Sequence, residues 1–333
     1  MPSAMNAIVR LIQAVRLASG TPSALKLAYS GARDAASTVT TVLAPLVHDA
    51  IAPADQQRTL ESLQLSSARF TYLTASYARM SAAAYRPDLA ALAGAFSRLY
   101  DDLFDEISDV EAQDRLGRLF RDEPFTPMTA YERLLQGILA EISERMDHRG
   151  RGPMLAALDE LHQYQLDSLR QRDQTIRPTE VFRICRGKGG MAASAFFYML
   201  TPEAGDGEAR LFTRIGWVMQ SIDDQSDADL DLLDGITTPA TLGLETPSGI
   251  VARILALRPQ LLAFHGSGAR QFISLMYVHL LLGVAARRLR GSRMTAIGTV
   301  GAGPFRSLLR HSRSAVPPSR SSARQPHDAG LST

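Results

Sequence analysis

The chain has 333 residues, 45% of them hydrophobic, and a formal net charge of +2, which is ample for one large globular core or two small ones. Basic residues are dispersed and are not interleaved with aromatics, so nothing reads as a nucleic-acid groove. Cys185 is the only cysteine, which excludes an internal disulfide and a cysteine-based zinc site and fits a reducing cytoplasm.

The chain opens on an apolar stripe over 8–17, with Arg10 and Arg16 interrupting it. A secretory signal would carry its charge ahead of an unbroken apolar run. The stripe reads as a docking helix, with weak membrane-surface affinity as the other option. Beyond it the pattern is helical almost throughout, rich in Ala, Leu and Arg and punctuated by Gly and Pro. The predicted helices are 5–18, 22–50, 54–83, 87–120, 128–147, 153–172, 178–200, 206–234, 247–264 and 268–290. The strand-like run 38–43 has helical neighbours and stays within a helix. No segment approaches the roughly 20 apolar residues that span a bilayer; the runs 191–200 and 275–286 read as core helices. No repeat period and no Pro/Ser-rich linker divides the first 300 residues, so 1–300 read as one all-α domain. Residues 301–333 form a Ser-, Arg- and Pro-rich basic tail with little to bury, and disorder is expected there.

Three stretches could carry chemistry. Within 98–106, Asp101, Asp102 and Asp105 share one helical face, and within 216–227, Asp223, Asp224 and Asp227 repeat the same Asp-Asp-x-x-Asp spacing. One such cluster alone is most simply a solvated acidic face. Two of them on apolar helices could face each other across a cavity and hold Mg²⁺, which takes one or two carboxylates, several waters and substrate phosphates. The third stretch is 183–190. The chain has two lysines, Lys26 and Lys188, and Lys188 stands among glycines near the head of an apolar helix. A phosphate could sit against Lys188 and Arg186; the plainer alternative is a glycine-loosened helix start with a solvated lysine. The aromatics nearest these stretches, Phe96, Phe104, Phe196, Phe197, Trp217 and Tyr277, are either ordinary core or cavity wall. His162, His265 and His279 sit singly on helices and read as packing or surface residues.

Together these motifs resemble the class I isoprenoid synthase superfamily: trans-prenyltransferases, squalene/phytoene synthases and class I terpene synthases. The second Asp-rich motif of the trans-prenyltransferases, Gly-x-x-Phe-Gln-x-x-Asp-Asp-x-x-Asp, is matched by Gly216, Gln220, Asp223, Asp224 and Asp227, with Met219 in place of Phe. The first motif is met by Asp101, Asp102 and Asp105, with Glu106 beside it. Gln165-Leu-Asp-Ser168 and Lys188-Gly-Gly-Met191 are looser counterparts of segments between the two, and the resemblance covers roughly 82–241. Departures are as definite. Arg115 and Arg118 follow the first motif without an adjacent Arg pair, and only Ser30-Gly-Ala-Arg33 stands near the N-terminus for the isopentenyl diphosphate pocket. The Asn-Asp-x-x-Ser-x-x-x-Glu triad of bacterial terpene cyclases is replaced by the second Asp cluster.

The resemblance implies an all-α, isoprenoid synthase-type helical bundle around a central cavity and a Mg²⁺-dependent ionisation of an allylic prenyl diphosphate. It implies Asp101, Asp105, Asp223 and Asp227 as metal ligands, Asp102 and Asp224 as further members of the catalytic set, and Lys188, Arg186 and Gln220 on the diphosphate. A chain-elongating enzyme using isopentenyl diphosphate and a non-catalytic helical binding protein are the alternatives, and a homodimer is compatible with either. Paired Glu-x-x-His motifs and a Gly-x-Ser-x-Gly elbow are not found in the sequence, so di-iron and serine-hydrolase readings have no support.

Overall fold

The computed structural model describes residues 37–106 and 110–294, together with Pro22 and Lys26. The apolar stripe at 8–17, the Ser30–Arg33 stretch and the tail from 301 lie outside the described residues. Among those described there is no strand; the chain is an all-α bundle. After a helical stretch at 37–42 come α1 (Ala44–Ala50), α2 (Pro53–Ser81), α3 (Pro87–Glu106), α4 (Val110–Arg118), α5 (Ala130–Arg145) and α6 (His148–Ser168). A 3-10 turn (Leu169–Arg172) leads to α7 (Pro178–Tyr198), α8 (Asp206–Leu233), α9 (Pro247–His265), a second 3-10 turn (Gly266–Gly268) and α10 (Ala269–Met294).

The punctuation explains most boundaries. Pro53, Pro178 and Pro247 open their helices at the first positions, where the missing N–H has no partner to lose. Thr129 caps α5 by accepting from Glu132 N at 3.1 Å, and Thr246 caps α9 by accepting from Gly249 N at 3.2 Å. From α2 onward, the largest shift of a helix start is at α6. α6 starts at His148 rather than 153, because Asp147 accepts from Arg149 N at 2.9 Å and starts the helix before Pro153 is reached. Within the predicted helix 87–120, α3 and α4 are described, and residues 107–109 lie outside the described residues.

Two cores form. One gathers α1, α3, α5 and α6; the other gathers the end of α2 with α8, α9 and α10. α7 lies between them and feeds both, Phe196 to the first and Phe197 to the second. Pro247–Arg290 includes a stretch long and apolar enough, by length and composition, to cross a membrane (mean hydropathy 1.4). This corrects the sequence reading, which weighed only 275–286 of that run and found it too short. Core helices pass the same test, and Phe272, Met276 and Leu280 of this run are buried against the second core.

Candidate active site

The placement of α7 follows from its glycines. A Cβ on Gly189 would lie 2.4 Å from Gly216 O, and one on Gly216 would lie 2.0 Å from Gly189 O, so α7 and α8 cross backbone to backbone. On the other side a Cβ on Gly187 would lie 2.3 Å from the Tyr164 ring of α6. Lys188 is therefore ten residues into a continuous helix, not at a helix start. The glycines serve helix packing rather than a phosphate-cradling N-terminus.

A cavity of about 530 Å³ opens between α2, α3, α6, α7, α8 and α10. Asp101, Asp102, Asp105, Asp223, Asp224, Asp227, Lys188 and Gln220 all line it. Phe70, Leu73, Phe96, Phe196 and Met219 line it too, with Phe70 and Phe196 meeting edge to face at 4.6 Å between ring centroids. The two zones separate along the helices. On α3 Phe96 precedes Asp101, on α8 Met219 precedes Asp223, and on antiparallel α7 Phe196 follows Lys188. One end of the cavity is acidic, the other apolar.

Within each motif the carboxylates divide by partner. Asp102 is buried and paired with Arg98 Nε at 2.8 Å, one turn back on α3. Asp224 is buried and accepts from Gln220 Nε2 at 2.8 Å. Asp227 meets Arg290 Nη2 at 3.1 Å. Asp101 keeps water-accessible surface yet is crowded by protein; burial pushes its carboxyl up to about 7, Lys188 pulls it down, and Asp105, Asp102 and Asp223 push it up again. Asp101 and Asp223, about 120 residues apart in sequence, thus sense each other across the cavity. Burial likewise raises Asp224 to about 7, against the Gln220 hydrogen bond.

Not every candidate reaches this cavity. Arg186 is exposed and stacks on the Trp217 ring at 5.2 Å, with Arg253 on the same ring at 3.9 Å. Two residues along a helix turn the side chain through about 200°, so Lys188 and Arg186 point to opposite sides. Trp217 and Tyr277 do not line the cavity, while Phe96, Phe104, Phe196 and Phe197 do. Of the 165–168 segment, Gln165 and Ser168 line it and Asp167 pairs with Arg183 at 2.6 Å. Arg115 pairs with buried Glu132 at 2.5 Å, away from the cavity.

The cavity also holds residues the sequence reading passed over. Asp231 extends the Asp223, Asp227 stripe by another four residues, and burial plus Asp224, Asp227 and Asp223 raise it to about 7. That extension was legible in the spacing. Arg172 and Gln171 come from the 3-10 turn after α6; Gln171 Nε2 donates to Thr237 O at 2.8 Å and ties down the loop after α8, whose Ile236 and Thr238 line the cavity. Tyr72 and His279, from helices at opposite ends of the chain, meet in the wall at 2.6 Å.

The donor set suits Mg²⁺: every acidic group at that end offers hard carboxylate oxygens, crowded enough to raise one another's affinity for positive charge. Among the described residues no three His, Cys, Asp or Glu side chains are gathered tightly enough to enclose an ion by themselves. An ion there would complete its shell with water and phosphate oxygens.

No family model matches the chain, and no curated protein matches it. Among solved structures, the crystal structure of squalene synthase HpnC from Alicyclobacillus acidocaldarius matches at 21% identity and a TM-score of 0.32, covering 69% of this chain and 95% of that one.

Proposed function

We propose that the protein is a Mg²⁺-dependent enzyme of the class I isoprenoid synthase type that ionises an allylic prenyl diphosphate and releases diphosphate. The observation that carries this reading is the cavity itself, with two Asp-x-x-x-Asp ladders on α3 and α8 at one end, Lys188 between them and aromatic walls at the other. An amphiphile with a highly charged head and a long apolar tail matches both ends. Asp101, Asp105, Asp223 and Asp227 would hold the metal. Bound there, Mg²⁺ supplies Lewis-acid charge against the phosphoryl oxygens.

The chain's own groups do the rest. Lys188 presents a fixed cation to the diphosphate, whose negative charge grows as the carbon–oxygen bond lengthens. Arg98 and Gln220 hold Asp102 and Asp224, which fixes the acidic face without using all its carboxylates on the ligand. Phe70, Phe96 and Phe196 shield the cation left behind from water.

The test is diphosphate release from prenyl diphosphates of increasing chain length, with and without Mg²⁺ and isopentenyl diphosphate, products read by mass spectrometry. Release that needs Mg²⁺ but no co-substrate is expected. Asp101→Asn combined with Asp223→Asn should lose at least about a hundredfold in kcat. Release only with isopentenyl diphosphate would assign a chain-elongating enzyme instead. No release above the double variant would leave a non-catalytic binding protein.

A further inference from the structure

Ionisation leaves a carbocation, and a neutral hydrocarbon forms only if that cation gives up a proton. The base is the part of the reaction that the acidic motifs do not supply, since Asp102 and Asp224 are tied to Arg98 and Gln220 and the remaining acids serve the diphosphate end. Elsewhere in the cavity wall, hydroxyls of α2 are committed to backbone carbonyls. Ser66 donates to Gly94 O at 2.9 Å and Thr74 to Phe70 O at 2.7 Å.

Tyr72 and His279 are different. Both line the cavity, both are half-buried, and the Tyr72 hydroxyl lies 2.6 Å from His279 Nδ1. Gly283 abuts Ser226 and Arg287 pairs with Asp229, so α10 runs parallel to α8. Gly283 also abuts Ile222 O, so His279, one turn earlier, falls toward the Met219–Ile222 turn of α8, next to the acidic stretch. The chain holds a second pair of the same kind, Tyr100 OH and His162 Nδ1 at 2.7 Å. That pair is almost fully buried, His162 being 0% and Tyr100 2% exposed. There the tyrosine borders the cavity but its imidazole does not, whereas Tyr72 and His279 both line it.

We propose that Tyr72 and His279 form the proton acceptor that ends the reaction by elimination, an inference that rests on the diphosphate-ionising reading above. A C–H proton beside the cationic carbon passes to the Tyr72 phenolic oxygen while Tyr72 passes its own proton to His279 Nδ1. The C–H electron pair becomes the new C=C bond. The product leaves neutral and the imidazole carries the single positive charge until solvent or the released diphosphate takes the proton. A phenol alone is far too weak a base for this. An imidazole nitrogen is a far stronger base than a phenol oxygen, histidine's reference pKa being near 6.5. The tautomer required has Nδ1 unprotonated and the other ring nitrogen carrying hydrogen.

The experiment measures eliminated product against water-quenched alcohol, per diphosphate released, for the wild-type protein, Tyr72→Phe and His279→Gln. The readout is a ratio, so it is insensitive to how fast each variant ionises substrate. Both variants should shift the ratio toward alcohol by at least about tenfold, general-base contributions being of order 10² or more. Glutamine keeps a hydrogen-bond partner for Tyr72 but cannot take up the proton, so a merely structural tie between α2 and α10 would survive in His279→Gln. Added imidazole should move the ratio of His279→Ala back toward wild type. An unchanged ratio in both variants overturns the proposal, as does a wild-type product that has lost no proton. Absence of diphosphate release from the wild-type protein overturns the underlying reading and this inference with it; the variant ratios, measured where release occurs, judge the pair alone.

Discussion

Lys188 and Arg186 show how much two positions along a helix decide. Both are cations in one glycine-rich stretch, and the sequence alone assigns both to the diphosphate. The structure directs Lys188 into the acidic cavity, where it offsets Asp101, Asp224 and Asp231, and lays Arg186 on the outer face of Trp217. Lys188→Gln should therefore lower kcat/KM about a hundredfold, the usual cost of removing one preorganised charge at a developing anion. Arg186→Ala should change it by no more than about twofold, as a surface substitution does. Steady-state kinetics on the two variants checks the pair. His162 gives a prediction of another kind. Burial lowers its pKa below the ordinary 6.5, reinforced by Arg121 and opposed by Asp159 and Asp114. The folded protein then holds His162 neutral while the unfolded chain takes up a proton as pH falls. Stability should be indifferent to this group well above pH 6.5 and should decline below it, by at most about 1.4 kcal/mol per pH unit for one proton. Melting temperatures from pH 7.5 to 5.5 should fall more steeply for the wild-type protein than for His162→Gln, which keeps a partner for Tyr100.

At the scale of elements, the crossing of α7 and α8 sets the site. Gly189 and Gly216 touch through backbone atoms, and that contact puts Lys188 beside the turn carrying Gln220 and Asp223. Gly216→Ala should cost about 2 kcal/mol or more, because its Cβ would meet a carbonyl that cannot swing aside. Gly152→Ala on α6, where a Cβ would meet nothing within 4 Å, should instead stabilise by about 0.4–1 kcal/mol through helix propensity. Thermal melts of the two variants should move in opposite directions. Much of the bundle was legible beforehand, since Pro and Gly breaks and Asp-x-x-x-Asp spacing are local properties of the chain. Asp231 was legible too, as one more step on the same stripe. The Gly189–Gly216 contact was not, because a glycine in a helix reads as looseness until the neighbouring helix is in view. Nor was the Tyr72–His279 pair, whose members lie 207 residues apart with no shared spacing to announce them. Arg186 and Trp217 looked like site residues because sequence proximity carries no direction.

For the whole molecule, the acidic ends of α3 and α8 are repelling elements held together by the two cores behind them. A ligand that satisfies them should stabilise the entire bundle. Mg²⁺ with inorganic diphosphate, at about a hundred times their joint Kd, should add about 2.7 kcal/mol and raise the melting temperature by about 5 °C or more. Diphosphate without Mg²⁺ should do far less, since it adds negative charge to a negative mouth. The same architecture bears on how the cavity could change shape over time. With the α7–α8 crossing locked at main-chain contact, the spacing of the charged head group is a fixed gauge that no single side-chain replacement can retune. Variation in ligand size is then confined to the opposite wall, which Phe70 and Leu73 of α2 and Phe96 of α3 line. A lineage, or a mutant library, that trims or bulks those positions would redraw the tail compartment while leaving the head compartment untouched.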